Sequence, residues 1–169
     1  MSIQGNIQII LREDRVENNS KSKTKTYKTL FFSSFFMTLN FEKEKLIAEL
    51  KKAKPKKVLV QLAEGIKKNA PEISEWIESL GIECVFSGET CWGACSVAIQ
   101  EAQALGVDLI VHFGHAEFIK INFPVIYMEV QDILNLKPIL TKSLPVLKEY
   151  KTIGLSYSIQ HRHDIENIK

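Results

Sequence analysis

The stretch KVLVQL at residues 57–62 decides the fold class. It is a short apolar run, and such runs are typical of strands that are buried on both faces of a parallel sheet. Runs of the same kind follow at residues 82–86, 108–113, 124–128 and 152–157. The sequence therefore predicts a series of buried strands.

Amphipathic helices are predicted between these strands. The first begins after Asn40 and ends before Pro55, and the second begins near Pro71. The third spans residues 96–105 and is closed by Gly106, and a fourth precedes the last strand. Strands that alternate with helices at this spacing predict an α/β fold, in which helices flank both faces of a parallel sheet.

The composition is that of an ordinary globular protein. Of the 169 residues, 45% are hydrophobic, and 22 Lys and Arg against 20 Asp and Glu give a net charge of +2. This near balance argues against direct nucleic-acid binding and against a membrane surface as a partner. Three cysteines are a small and odd number for a disulfide scaffold. We therefore expect a cytoplasmic protein whose cysteines bind metal or take part in chemistry.

The domain organisation changes near residue 37. Residues 1–36 are predicted to be a poorly ordered leader, because residues 17–25 are polar and lack periodic apolar positions. A signal-like segment is the alternative, but its apolar run is shorter than the roughly 20 residues that span a bilayer. We expect a first α/β domain at residues 37–150 and the truncated start of a second domain at residues 151–169.

Three groups of polar and glycine residues follow predicted strands, at residues 61–65, 88–95 and 112–115. In an open parallel sheet, ligands bind beyond the carboxyl ends of the strands. We therefore expect these three groups to form the functional edge of the domain.

The candidate chemistry of this edge centres on Cys95. We expect its thiol at the N-terminus of the third helix, where the helix dipole favours a thiolate that acts as nucleophile or metal ligand. Gly93 lets the backbone approach a bulky ligand closely, and the alternative for Cys95 is a small buried thiol. Cys84 is predicted to be a core cysteine and Cys91 an exposed loop residue, whereas Glu64 could be a general acid or base or only cap the next element.

Two conventional metal sites fit the spacing poorly. Cys91, Cys95, His112 and His115 offer the residue types of a zinc site, but a helix and a strand separate the two pairs and only two residues lie between the histidines. Cys91 and Cys95 also begin a C-x-x-x-C-x-x-C pattern, whose third position is Ala98. A 4Fe–4S cluster here would need thiolates from elsewhere.

These loops resemble one enzyme family. Residues 60–65, 88–95 and 111–115 are similar to the first domain of the 2-(3-amino-3-carboxypropyl)histidine synthases of diphthamide synthesis. Residues 153–155 and 160–163 resemble the opening of the second domain of that family. The resemblance runs from about residue 41 to residue 169 and leaves the predicted leader unexplained.

The resemblance implies a radical reaction that uses S-adenosylmethionine. Members have three similar α/β domains that each give one cysteine to a 4Fe–4S cluster, and Cys95 matches the ligand of the first domain. The cluster cleaves S-adenosylmethionine reductively, and the resulting 3-amino-3-carboxypropyl radical adds to a histidine of translation elongation factor 2. Position makes Glu64, Gly93, His115 and Gln160 the candidate cofactor-binding residues.

One cysteine cannot hold a 4Fe–4S cluster, so we expect this chain to be inactive alone. It would be a fragment, a truncated gene product or one piece of a split enzyme whose remaining domains are separately encoded. The resemblance also implies a homodimer. Two alternatives stay open from the residues themselves: a fragment of a quinolinate-synthase-like iron–sulfur enzyme, and a non-catalytic α/β binding domain.

Overall fold

The computed structural model describes residues 6–14, 25–33, 39–133 and 135–162 of the chain. The chain divides into two compact units, and the described part of unit 1 is residues 39–131. Unit 2 combines residues from 4–38 with residues from 132–169. The elements are, in chain order, β1 (Asn6–Asp14), β2 (Lys25–Ser33), β3 (Leu39–Asn40), α1 (Lys43–Ala53), β4 (Lys57–Leu62), a 3₁₀ helix (Glu64–Asn69), α2 (Ala70–Glu78), β5 (Glu83–Phe86), α3 (Ile99–Ala104), β6 (Leu109–Phe113), β7 (Val125–Met128), β8 (Gln131–Asp132), α4 (Lys137–Leu147) and β9 (Thr152–Tyr157).

Unit 1 is built on a parallel sheet with the strand order β5-β4-β6-β7. The central strand β4 has five buried residues out of six, as its apolar sequence predicts. Its register pairs Val58 with Cys84 of β5 and Gln61 with His112 of β6. The parallel sheet of an α/β fold is therefore confirmed.

Helices cover both faces of this sheet, also as predicted. Because side chains alternate along a strand, neighbouring residues of β4 point to opposite faces. One face packs against α1, the 3₁₀ helix and α2, and its core includes Leu46, Leu50, Val58, Val60, Leu62, Ile66, Ile73 and Ile77. The opposite face packs against α3, through Leu59, Ala98, Ala102, Val107 and Ile110.

The third helix is shorter than predicted, since α3 begins at Ile99 rather than at Ser96. The side chain of Gln61 explains the difference: its Nε2 donates to the Ser96 carbonyl at 2.7 Å, and its Oε1 accepts from the Ala98 N–H at 3.1 Å. The Ser96 carbonyl and the Ala98 N–H are thus hydrogen-bonded to the side chain of Gln61 on β4, and not to other backbone groups of a helix. The turn before them is closed by a hydrogen bond from the Ser96 N–H to the Gly93 carbonyl at 3.1 Å.

Residues 6–14 and 25–33, which fall within the predicted leader at 1–36, are strands of unit 2. They form β1 and β2, and the antiparallel sheet has the order β2-β1-β9. Pairing with a strand more than a hundred residues away is not visible as local periodicity, so these strands could not be predicted from it. The rest of the predicted leader lies outside the described residues. The domain bounds predicted at 1–36, 37–150 and 151–169 stay predictions.

No helix among the described residues has both the length and the apolar composition needed to cross a membrane.

Gly114 is a backbone position that other residues should tolerate poorly. It follows β6 with φ +100°, and a Cβ added there would lie 3.0 Å from the Cβ of Ala63. We expect Gly114→Ala to lower the free energy of unfolding by about 1–3 kcal/mol, because it combines a strained φ with a close contact. Gly88→Ala is the matched control, since a Cβ at Gly88 meets nothing within 4 Å. Urea denaturation measures both, and equal losses would contradict the strain argument.

Candidate metal centre at the carboxyl edge of the sheet

The three predicted groups of functional residues meet at one edge of unit 1. They lie at the carboxyl ends of β4, β5 and β6, and the backbones of the loops are joined there. The Ala63 N–H donates to the Phe113 carbonyl at 3.3 Å, and the Glu64 N–H donates to the Cys91 carbonyl at 3.3 Å. We call this region the carboxyl edge.

Gln61 organises the carboxyl edge from within the sheet. Its side chain is buried, and besides its bonds to Ser96 and Ala98 it contacts His112, whose Nδ1 lies 3.0 Å from the Gln61 Oε1. Because the Gln61 amide nitrogen is the donor to Ser96, its oxygen must be the acceptor, so the Nδ1 of His112 carries the hydrogen. The Nε2 of His112 therefore presents a lone pair.

That lone pair faces the second histidine. The Nε2 of His112 lies 3.0 Å from the Nδ1 of His115. Burial lowers the pKa of His112 to about 4, with a further contribution from His115. Burial also lowers the pKa of His115, although a hydrogen bond with the backbone of Trp92 acts in the opposite direction. The two rings are thus a neutral, hydrogen-bonded pair near pH 7.

Cys91 is buried, which corrects the prediction of an exposed loop residue. The loop is drawn inward by Glu64, whose Oε1 accepts from the Cys91 N–H at 3.0 Å while its own N–H bonds to the Cys91 carbonyl. Lys67 lies 2.7 Å from the same Glu64 oxygen and lowers the pKa of that carboxyl, and the Cys91 N–H adds to this effect. Burial raises the pKa of the Cys91 thiol. The Glu64 carboxylate thus positions Cys91.

Cys95 is exposed, but it is not at a helix N-terminus as predicted. It lies in the turn between Gly93 and Ser96, four residues before α3 begins. The helix dipole that the sequence predicted at this sulfur is therefore absent from its position. A Cβ added at Gly93 would lie 3.6 Å from the Cys95 Sγ, so the glycine leaves open the space beside this sulfur.

The side chains of Cys91, His112 and His115 lie together, although their spacing in the sequence did not favour such a group. One ligand atom from each lies within 4.8 Å of the others. The rule of short ligand spacing applies to metal loops that are local in sequence. Here, the register of β4 and β6 and the anchoring by Glu64 bring the residues together. A polar Gln61 in an otherwise apolar strand was the signal in the sequence that this edge is organised by buried hydrogen bonds.

The other predicted site residues lie elsewhere. Cys84 is half-buried on β5, where it packs against the core, and burial raises the pKa of its thiol to about 11. This agrees with a core cysteine. Gln160 is half-buried in unit 2, and its role in cofactor binding stays a prediction.

Comparison with known proteins identifies the family. The sequence profile described as "diphthamide synthesis protein" matches residues 62–169. The 2-(3-amino-3-carboxypropyl)histidine synthase of Pyrococcus horikoshii is 29% identical over 129 residues, which are 75% of this chain and 38% of that protein. Subunit 1 of the corresponding synthase of Nematostella vectensis is 40% identical over 84 residues, which are 49% of this chain and 18% of that protein.

Solved structures give the same result. The crystal structure of Dph2 from Pyrococcus horikoshii with a 4Fe–4S cluster is 30% identical, with a TM-score of 0.61, and the match covers 66% of this chain and 34% of that one. A second structure of Dph2 from the same organism has a TM-score of 0.67 at 27% identity, covering 77% of this chain and 39% of that one. The chain thus spans well under half the length of these relatives, and it belongs to the diphthamide synthesis protein family.

Proposed function

We propose that this chain is one part of a 2-(3-amino-3-carboxypropyl)histidine synthase. The complete enzyme would transfer the 3-amino-3-carboxypropyl group of S-adenosylmethionine to a histidine of translation elongation factor 2. Support comes from the family match over residues 62–169 and from relatives that carry this name. Family membership also favours this reaction over a quinolinate-synthase-like one and over a non-catalytic binding domain.

The observation that carries the proposal is the position of Cys95. Among the three cysteines of the chain, it alone is exposed, and it lies on the carboxyl edge inside the family match. A thiolate there suits one corner of a 4Fe–4S cluster, which needs further thiolates that this chain does not expose. A Dph2 structure from Pyrococcus horikoshii contains such a cluster.

The residues around Cys95 have positioning roles in this proposal. The cluster, when bound, would supply the electron that cleaves S-adenosylmethionine. Gly93 keeps a side chain away from the Cys95 sulfur, so that a bulky group can approach it. Glu64 and His115 fix the position of the loop that carries Cys95, because they contact the backbones of Cys91 and Trp92. The role of Gln160 in cofactor binding is also part of this proposal.

The partners follow from the missing ligands. We expect the 169 residues alone to be inactive, because one exposed thiolate cannot hold the cluster. The other cysteines would come from polypeptide outside these 169 residues, for which separately encoded domains are one proposed source. A homodimer is a further proposed assembly, and elongation factor 2 would be the protein substrate. Free thiols and an iron–sulfur cofactor both favour the reducing cytoplasm.

The test is a chimera in which this chain replaces the segment that it matches in the Pyrococcus horikoshii synthase. We expect the anaerobically purified chimera to show 4Fe–4S absorption and to modify elongation factor 2, as measured by the mass of the product. Cys95→Ser should abolish both signals, whereas Cys84→Ser, the matched control in the core, should retain them. A chimera without a cluster, or a Cys95→Ser variant that keeps one, would contradict the proposal.

A further inference from the structure

The proposed function assigns no ligand role to a second group of metal-ligating side chains. Cys91 reaches the carboxyl edge from the loop after β5, His112 from the end of β6, and His115 from the loop after β6. One ligand atom of each lies within 4.8 Å of the others. In a tetrahedral zinc site, bond lengths of about 2.0–2.3 Å place neighbouring ligand atoms roughly 3.3–3.8 Å apart. Small side-chain shifts would therefore bring the distances between the three ligand atoms into this range.

The tautomer of His112 is already the one that a metal ligand requires. Gln61 accepts the hydrogen of Nδ1, so the Nε2 of His112 has a free electron pair, and this atom lies 3.0 Å from the Nδ1 of His115. Metal-binding histidines commonly donate their other ring N–H to a carbonyl or carboxylate, which fixes the orientation of the ring. The Gln61 oxygen has this role here.

Cys91 is held with comparable rigidity. Glu64 bonds to both the N–H and the carbonyl of Cys91, at 3.0 and 3.3 Å, and Lys67 fixes Glu64 in turn. Lys67 also donates to the carbonyl of Glu89 at 2.9 Å. The position of the Cys91 sulfur is thus supported by contacts outside the group itself, as is usual around metal ligands.

We propose that Cys91, His112 and His115 form a mononuclear site for a divalent transition metal of the zinc class, separate from the sulfur of Cys95. Two imidazoles and one thiolate suit a borderline-soft ion such as Zn²⁺ or Co²⁺. Binding releases the thiol proton of Cys91, and the hydrogen between the imidazoles moves to the ring nitrogen of His115 that the metal does not use. One proton leaves per ion, and a fourth coordination position stays open.

Such an ion would connect the loop that carries Cys95 to the end of β6. This structural role of the ion goes beyond the proposed transfer reaction. The metal site and the transfer reaction are separate proposals, and neither depends on the other. The buried position of the Cys91 sulfur and the exposed position of the Cys95 sulfur make the two sites separable by substitution.

The test is a titration of the full 169-residue chain with Co²⁺, after chelator treatment and without added iron or sulfide. We expect one ion per chain, the intense visible bands of tetrahedral cobalt, a near-ultraviolet thiolate band, and displacement by Zn²⁺. Cys91→Ser should remove the thiolate band, and both it and His115→Gln should weaken binding by about 100-fold or more, because each removes a direct ligand. Circular dichroism of each variant checks that it is folded.

Cys84→Ser and Cys95→Ser are the matched controls, and both should bind Co²⁺ as the unsubstituted chain does. The absence of stoichiometric binding, or binding that survives Cys91→Ser unchanged, would overturn the site. Loss of binding in Cys95→Ser alone would also overturn it, because the metal would then sit on the exposed sulfur. None of these outcomes depends on the 4Fe–4S cluster, which the chimera tests separately.

Discussion

Gln61→Met should lower the free energy of unfolding by about 3–5 kcal/mol, the largest stability effect that we expect from a single substitution. Methionine fills a similar volume but has neither the amide donor nor the amide acceptor. The change leaves two buried donors without a partner, the Ala98 N–H and the Nδ1–H of His112. Each unsatisfied buried group costs about 1–3 kcal/mol. The Ser96 carbonyl also loses its donor, but Ser96 is exposed and water can replace it.

The measurement is urea denaturation near pH 7.5 with Gln103→Met as the matched control. Gln103→Met makes the same chemical change on the exposed surface of α3, where we expect the free energy of unfolding to change by no more than about 0.5 kcal/mol. A loss below about 1 kcal/mol in Gln61→Met would show that the hydrogen bonds at the carboxyl edge are not needed for stability.

The stability of the metal-free chain should fall by about 3 kcal/mol when the pH is lowered from 7 to 4, because of His112. The folded-state pKa of His112 is about 4, below the ordinary value of 6.5, because burial disfavours the charged ring. A depressed pKa means that the unfolded chain binds a proton first. The contribution of His112 is therefore complete above pH 6.5 and is lost as the pH falls towards 4, at about 1.4 kcal/mol per unit.

His112→Gln provides the control for this pH dependence. Its side-chain amide can still donate to Gln61, but it has no titratable ring, so the slope between pH 6.5 and 4 should flatten even if the variant is less stable at pH 7. The pKa of His115 is lowered as well, so His115→Gln should reduce the slope only in part. Urea denaturation at half-unit pH steps, with chelator present, measures all three proteins. An unchanged slope in His112→Gln would assign the effect to other groups.

The sequence predicted the sheet well because the evidence for it is local. The apolar run at residues 57–62 and the helices that follow it have the periodicity of buried strands and amphipathic helices, and both appear in the structure. The meeting of the three loops at one edge also followed from the sequence, since parallel strands bring their carboxyl ends together.

The details of the site could not be predicted because they depend on contacts between distant residues. The burial of Cys91 results from two bonds to Glu64, and the late start of α3 results from bonds to Gln61. A helix start that is predicted from local sequence cannot take into account a side chain on a distant strand, such as Gln61, that hydrogen-bonds to the backbone there. For the same reason, ligand spacing failed to show that Cys91 lies beside the two histidines.

The antiparallel sheet of unit 2 has a consequence for biosynthesis. Because β9 pairs with β1, with Tyr157 opposite Ile7 and Thr152 opposite Arg12, this sheet joins segments that are about 140–150 residues apart. During translation, β1 leaves the ribosome long before β9, because the pairing is between residues that are far apart in the sequence. Unit 1, whose strands are all close in sequence, can fold meanwhile. The side of β1 that pairs with β9 would then be open to chaperones or to aggregation until β9 has been synthesised.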